Sequence, residues 1–177
     1  AEGVYEDANV PDSTKLLMLD TDLSGAAILL LDIMVRLKFE RAFYEERRQG
    51  EVSVQRLKEL MAEKQREVFG DALAADGVDE YFWASKLHFY ISRVTFYNFP
   101  YTVGFLLARA LFARFKQQGS GFLAQYEDFL RLTGSDTVEN VVQRTIGEDT
   151  TRPEFWSSSI ESLTGPLAKF KQLLKVS

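Results

Sequence analysis

The chain has 177 residues, of which 46% are hydrophobic and 27% are charged, and its formal net charge is -5. This composition is typical of a folded globular protein and excludes a disordered, highly charged chain. Lysine and arginine alternate with aspartate and glutamate instead of forming a basic stripe, so we expect no nucleic-acid partner.

The first predicted helix runs over Ser13–Arg48, where apolar residues recur at the three-to-four spacing of a helix with one buried face. Gly50 ends it. Gly25 lies inside the pattern and costs about 1 kcal/mol relative to alanine, so one continuous helix and two stacked helices both fit. Residues 1–12 ahead of it are expected to form an N-terminal linker.

The most apolar stretch of the chain, Leu23–Val35, is too short to span a bilayer and is interrupted by polar residues. We therefore expect a core helix there and no membrane partner. The N-terminus is acidic and polar, whereas a signal peptide is first basic and then apolar. Because the chain has no cysteine, it suits a reducing compartment, and we expect a cytoplasmic protein.

The second predicted helix begins after Ser53, a good N-cap residue, and stops at Gly70. A loop over Asp71–Asp79 follows, and alternation with a period of two is confined to a few residues near Tyr90–Tyr97. The remaining predicted helices span Pro100–Gln118, Gly121–Thr133, Thr137–Thr145 and a stretch from about Pro153 that is interrupted at Gly165 and Pro166. The predicted fold class is therefore mainly α, a multi-helix bundle forming a single domain over 1–177.

The segment Tyr81–Tyr101 contains nine of the 23 aromatic residues in only 21 positions. Large aromatic side chains mostly fill protein cores, and this explains four of them. Those four are Phe82, Trp83, Phe89 and Phe96.

The tyrosines of this segment carry hydroxyl groups, which need a hydrogen-bond partner when buried and otherwise can face a ligand. Tyr90, Tyr97 and Tyr101 are the candidates. The single histidine of the chain, His88, lies among them. A lone histidine is more often structural than catalytic, so composition alone leaves its role open.

The string Lys86–Leu111, KLHFYISRVTFYNFPYTVGFLLARAL, closely resembles the C-terminal signature of oligoendopeptidase F-like enzymes, relatives of thimet oligopeptidase. The histidine, the Phe-Tyr pair and the Tyr-Thr-x-Gly start of a helix occur in the same order. FERAFYEERRQGEVSV before it and Pro-Glu-Phe-Trp near the end resemble the same family, so the resemblance extends from about Leu17 onward. It implies the C-terminal part of a thimet oligopeptidase-like helical peptidase fold.

In that family, a His-Glu-x-x-His helix supplies two zinc ligands and the general base, and a later glutamate supplies the third ligand. This chain cannot contain the motif because it has one histidine, and the acidic residue nearest to His88 in sequence is Glu80. We therefore expect no metal site and no zinc in this chain, although the full-length enzyme would hold zinc. The chain is expected to be a fragment, inactive alone, whose partner is the missing N-terminal part of a peptidase.

The resemblance implies that this loop faces the metal across a channel, binds short peptide substrates and stabilises the oxyanion of the tetrahedral intermediate. A tyrosine hydroxyl suits that task because it is a protonated, neutral donor at neutral pH. Gly104 lies where the thimet branch carries a further tyrosine. The predicted catalytic residues are Tyr101, Tyr97 and His88, and the predicted substrate-binding residues are Tyr90, Asn98 and Gly104.

Two other interpretations remain open. A non-catalytic helical module could use the same aromatic wall to bind peptides or a partner helix. A purely structural bundle would require the tyrosines to lie in the core. An open reading frame that continues upstream into a His-Glu-x-x-His motif would favour the peptidase interpretation.

Overall fold

The computed structural model describes residues 2–175, which are mainly α-helical and contain no strand, so the predicted fold class is confirmed. The α-helices of this range are α1 (Glu2–Tyr5), α2 (Asp12–Ala27), α3 (Ile33–Arg47), α4 (Val54–Phe69), α5 (Phe99–Gln118), α6 (Leu123–Leu132), α7 (Val138–Ile146), α8 (Pro153–Glu161) and α9 (Thr164–Leu174). Short 3₁₀ turns cover Gly70–Ala72, Phe82–Ser85, Leu87–Phe89 and Gly119–Phe122. None of the described helices is both long and apolar enough to cross a membrane.

The first predicted helix is divided by a π-helical segment, Ile28–Asp32, which joins α2 to α3. The backbone N–H of Ile33 bonds to the carbonyl of Ile28, five residues earlier. The irregularity therefore lies just beyond Gly25, which is itself inside α2. A π-turn holds an additional residue and alters the backbone hydrogen bonding around it. The hydroxyl of Thr102 donates to the carbonyl of Leu29 at 2.6 Å.

Both ends of α4 follow the predicted local chemistry. The Ser53 hydroxyl accepts the backbone N–H of Arg56 at 3.1 Å, and Gly70 ends the helix with a φ of 52°, which favours glycine. The predicted interruption of the last helical stretch is present, but it lies between Glu161 and Thr164. Gly165 and Pro166 both lie in the first turn of α9. Proline is tolerated there since the first backbone N–H groups of a helix have no partner within the helix.

The chain divides into two compact units, and the boundaries fall within α2 and α5. The first unit combines the chain up to Leu23 with the chain from Gly104 onward. Its larger core contains Leu111, Phe122, Val142 and Ile146. A smaller cluster contains Tyr5, Leu19 and Leu173, so the predicted N-terminal linker includes α1 and a buried tyrosine.

The second unit covers Ser24–Val103, and α3 packs against α4 in it. Its core residues are Val35, Phe39, Leu60 and Met61. We call Tyr81–Tyr101 the aromatic segment. Three of its rings, Phe82, Trp83 and Phe89, pack against this core, as expected for large aromatic side chains.

The loop after α4 is held by Gln65, whose side chain is buried. Its Nε2 donates to the carbonyls of Met61 at 3.2 Å and Asp79 at 2.8 Å, and its Oε1 accepts the backbone N–H of Asp79 at 3.1 Å. A side-chain amide thus pairs both backbone groups of Asp79. This contact fixes the point at which the aromatic segment begins.

Candidate functional site

Three residues predicted to be catalytic lie together in the second unit. His88 belongs to the 3₁₀ turn Leu87–Phe89, Tyr97 lies just before α5, and Tyr101 lies in the first turn of α5. The backbone N–H of Tyr101 donates to the carbonyl of Asn98 at 3.2 Å, which forms this first turn. We call His88, Tyr97 and Tyr101 the His–Tyr cluster.

The three rings of the His–Tyr cluster contact one another. Nε2 of His88 lies 3.0 Å from the hydroxyl oxygen of Tyr101, and the two rings meet edge to face with centroids 5.6 Å apart. The rings of His88 and Tyr97 are stacked at 6.1 Å, and those of Tyr97 and Tyr101 meet edge to face at 6.0 Å. Tyr97 is 49% exposed and Tyr101 is 41% exposed, so the cluster is open to a ligand.

The hydrogen bond between His88 and Tyr101 can run in either direction, depending on the imidazole tautomer. If Nε2 carries the proton, it donates to the phenol oxygen, and the tyrosine O–H remains available to another acceptor. If Nε2 is unprotonated, it accepts the tyrosine O–H. The tautomer of His88 therefore determines whether Tyr101 can donate to a ligand.

Two of the predicted substrate-binding residues do not join this cluster. The hydroxyl of Tyr90 donates to the carbonyl of Trp83 at 3.3 Å, and partial burial raises the pKa of Tyr90 above its ordinary value. Asn98 is fully buried, and neither polar atom of its side chain has a hydrogen-bond partner among residues 2–175. A buried amide without partners is unfavourable, and the sequence contained no indication of it.

Gly104, the third predicted substrate-binding residue, lies one turn after Tyr101 in α5 and belongs to the first unit. A Cβ atom at this position would meet nothing within 4 Å. The absence of a side chain therefore leaves open space beside the helix, which a larger residue would fill.

Glu40 is a buried residue that sequence reasoning missed, although it lies within the stretch FERAFYEERRQGEVSV. It is 3% exposed, and its Oε1 accepts the backbone N–H of Phe96 at 2.8 Å. Phe96 has a φ of 56° and immediately precedes Tyr97. A charged residue directly after an apolar position of a helix is normally read as solvent-exposed, so only its unusual burial identifies it.

The described residues do not fit a zinc site with three protein ligands. No group of three or more histidine, aspartate or glutamate side chains within residues 2–175 is arranged to hold a metal ion. The single imidazole, that of His88, contacts Tyr101 and has no carboxylate beside it in sequence.

Comparison with protein families matches residues 8–161 to Peptidase family M3, whose members are generally zinc-dependent. No curated protein and no solved structure shows significant similarity to the chain. The match spans most of the sequence and includes α3, α4, the aromatic segment and α5. The chain therefore belongs to peptidase family M3.

Proposed function

We propose that this chain is the substrate-binding and oxyanion-stabilising part of a zinc-dependent oligoendopeptidase that hydrolyses short peptides. In this proposal the hydroxyl of Tyr101 donates to the developing oxyanion, and His88 orients Tyr101. Tyr97 is the second candidate for the oxyanion donor. The observation that carries the proposal is the 3.0 Å contact between His88 and Tyr101 on an exposed surface of an M3-family chain.

The chemistry of the His–Tyr cluster suits this role. A neutral phenol can donate a hydrogen bond to an oxyanion without bringing a charge that must be desolvated, and it is already held in place before the reaction. The role requires the tautomer in which Nε2 of His88 donates to the phenol oxygen. The tyrosine proton then points away from the imidazole and can meet the substrate.

We propose that the zinc site is not formed by this chain. The zinc and its ligands would come from residues outside these 177, because the residues described here do not fit such a site. We accordingly propose that the chain alone hydrolyses no peptides. A cytoplasmic location is part of the proposal, as it suits a chain without cysteine.

The first test uses the chain as it is. After dialysis against a metal-free buffer, metal analysis should find no stoichiometric zinc, and a quenched fluorescent peptide should remain intact with or without added zinc. One tightly held zinc per chain, or turnover that survives repurification, would contradict the proposal that this chain lacks its own metal site.

The second test uses a longer polypeptide in which this sequence is joined to a His-Glu-x-x-His segment. Tyr101→Phe should lower kcat by roughly a hundredfold or more, because a hydroxyl that acts on the oxyanion is used in the transition state. KM should change little. If kcat stays within about twofold while the unfolding free energy falls by about 1–3 kcal/mol, Tyr101 has a structural role.

A further inference from the structure

A second feature of the Ser24–Val103 unit is a cavity of about 140 Å³ that is separate in its lining from the His–Tyr cluster. Aromatic side chains from α3 and from the aromatic segment form most of its wall. They are Phe39, Phe43, Tyr44, Trp83, Phe89 and Tyr90.

The cavity has a buried floor and an exposed rim. Phe39 is 4% exposed, whereas Tyr44 and Tyr90 are 40% and 54% exposed. Glu40 also lines the cavity and is buried. A small ligand could therefore enter past the two tyrosines and come close to a buried carboxylate.

The polar groups at this cavity are incompletely paired. Glu40 uses Oε1 to accept the backbone N–H of Phe96, but its Oε2 is buried and has no hydrogen-bond partner within residues 2–175. The indole Nε1 of Trp83 is likewise buried and unpaired in that range. A buried carboxylate with an unpaired oxygen is unfavourable unless a cation or further donors compensate it.

No lysine or arginine within residues 2–175 forms an ion pair with Glu40. Lys58 pairs with Glu80 and lies 4.7 Å from the ring centroid of Tyr81. Lys86 lies over Phe82, and Arg36 pairs with Asp32. Among the described residues, Nε of Arg36 is buried without a partner, and Arg41, the exposed neighbour of Glu40 in sequence, has no ion pair with it. The Glu40 carboxylate therefore has no counter-charge within residues 2–175.

We propose that this cavity binds one organic cation, an alkylammonium or guanidinium head group, with the aromatic rings around it and Glu40 balancing its charge. The faces of aromatic rings attract cations, and tryptophan does so best. A hard metal ion would need several oxygen ligands, and the cavity offers one carboxylate. A neutral apolar ligand would leave Glu40 uncompensated.

The cation could come from a free amine or from a lysine side chain of a peptide, since both present the same head group. The proposal does not depend on peptide hydrolysis, because the cavity and its carboxylate are complete within the chain. Its test therefore does not require peptidase activity.

The experiment follows the two indole N–H signals of the chain by NMR, with Trp83→Phe to assign them. Titration with n-butylammonium should shift the Trp83 signal saturably. The Trp156 signal should not move, because Trp156 lies in the other unit and its Nε1 donates to the carbonyl of Thr150 at 2.8 Å. The neutral isostere n-butanol should bind at least about fivefold more weakly, since it lacks the charge that cation–π attraction requires.

Glu40→Gln is the informative variant, because its amide oxygen can still accept the N–H of Phe96 while the charge is lost. It should weaken butylammonium binding about tenfold or more, as expected for a charge-assisted contact. Glu51→Gln, on an exposed glutamate outside the cavity lining, should bind as the wild type does. Tyr44→Leu, which removes a ring from the exposed rim, should weaken binding about threefold and serves if Glu40→Gln does not fold.

N-acetyl-lysinamide and its uncharged norleucine analogue distinguish the two sources. Saturable binding of butylammonium and the lysine derivative assigns the site to lysine-like side chains, and binding of butylammonium alone assigns it to free amines. The proposal is overturned if neither cation shifts Trp83 saturably. It is also overturned if butanol binds as tightly as butylammonium to the wild-type chain.

Discussion

Nε2 of His88 and the hydroxyl oxygen of Tyr101 lie 3.0 Å apart, although thirteen residues separate them in sequence. The contact joins the 3₁₀ turn Leu87–Phe89 to the first turn of α5. Its formation therefore depends on the conformation of the loop between them. Because the chain has one histidine, its imidazole nitrogen signals can be observed without overlap.

Tyr101→Phe removes the hydroxyl that hydrogen-bonds to this imidazole. We expect the Nε2 resonance of His88 to shift, and the free energy of unfolding to fall by no more than about 1 kcal/mol because the bond is partly exposed. Nitrogen NMR of the wild type also identifies the tautomer. A wild-type His88 whose Nε2 is unprotonated would contradict the proposed donation from His88 to Tyr101.

The control for this variant is Tyr126→Phe, which removes a hydroxyl from an exposed ring in the other unit. It should leave the His88 signals unchanged. Equal shifts in the two variants would show that the NMR change is not specific to the hydrogen bond.

Gln65→Leu tests the contact that fixes the start of the aromatic segment. The free energy of unfolding should fall by about 1–2 kcal/mol, because the backbone N–H of Asp79 loses its partner and its carbonyl keeps only the backbone N–H of Phe82. Urea unfolding measures the difference. Gln55→Leu, on an exposed residue of α4, should change it by no more than about 0.5 kcal/mol.

The ion pair between α3 and α4 predicts a dependence of stability on pH. Nε of Arg56 contacts the Glu46 carboxylate at 3.0 and 3.1 Å, and its NH2 at 2.7 Å. These hydrogen bonds, aided by the positive charge of Arg56, lower the pKa of Glu46 below its ordinary value of 4.5. Stability from this pair is therefore complete above about pH 4.5 and is lost as the pH falls through the lower, folded-state pKa.

Melting temperatures of the wild type and Glu46→Gln, measured between pH 7 and pH 2, test this expectation. The wild type should be the more stable protein at neutral pH, and the difference should shrink as the pH falls. A difference that is constant over this range would show that the glutamine variant acts through packing and not through charge.

Local chemistry predicted much of the fold. Ser53 and Gly70 define α4 because an N-cap hydroxyl and a glycine with positive φ act within one turn. The sequence does not predict the π-helical segment, in which the carbonyl of Leu29 accepts the side-chain hydroxyl of Thr102, 73 positions away. The break in the last helical stretch precedes Pro166, because a proline is tolerated in the first turn of a helix and α9 can therefore begin before it.

The sequence predicts the residues of the candidate site better than it predicts the buried polar groups around them. The resemblance named the three residues of the His–Tyr cluster, and the structure brings them into contact. It did not predict that Asn98 would be completely buried, or that the carboxylate of Glu40 would accept a backbone N–H from the same loop. Polar side chains become buried through tertiary contacts, and a linear pattern of hydrophobicity does not contain those contacts.

Backbone strain in the loop between His88 and Tyr101 gives the last prediction. Arg93 and Phe96 both have positive φ, 67° and 56°, which an L-residue other than glycine adopts at a cost of about 1–2 kcal/mol. Arg93 is exposed, so its side chain can be removed without loss of core packing. Strained backbone is often retained where it sets the position of functional groups.

Arg93→Gly should raise the free energy of unfolding by up to about 1 kcal/mol, because the relief of strain exceeds the additional flexibility of glycine in the unfolded chain. Ser92→Gly is the matched control: its φ is not positive, so it gains only flexibility and should lose about 0.5–1 kcal/mol. Urea unfolding of both variants measures whether the free energy of unfolding rises or falls relative to the wild type. If Arg93→Gly destabilises the protein as much as Ser92→Gly does, the strain at Arg93 is absent in solution. If Arg93→Gly stabilises the protein while the His88 signals are unchanged, the strained backbone at Arg93 is not needed to hold His88 against Tyr101.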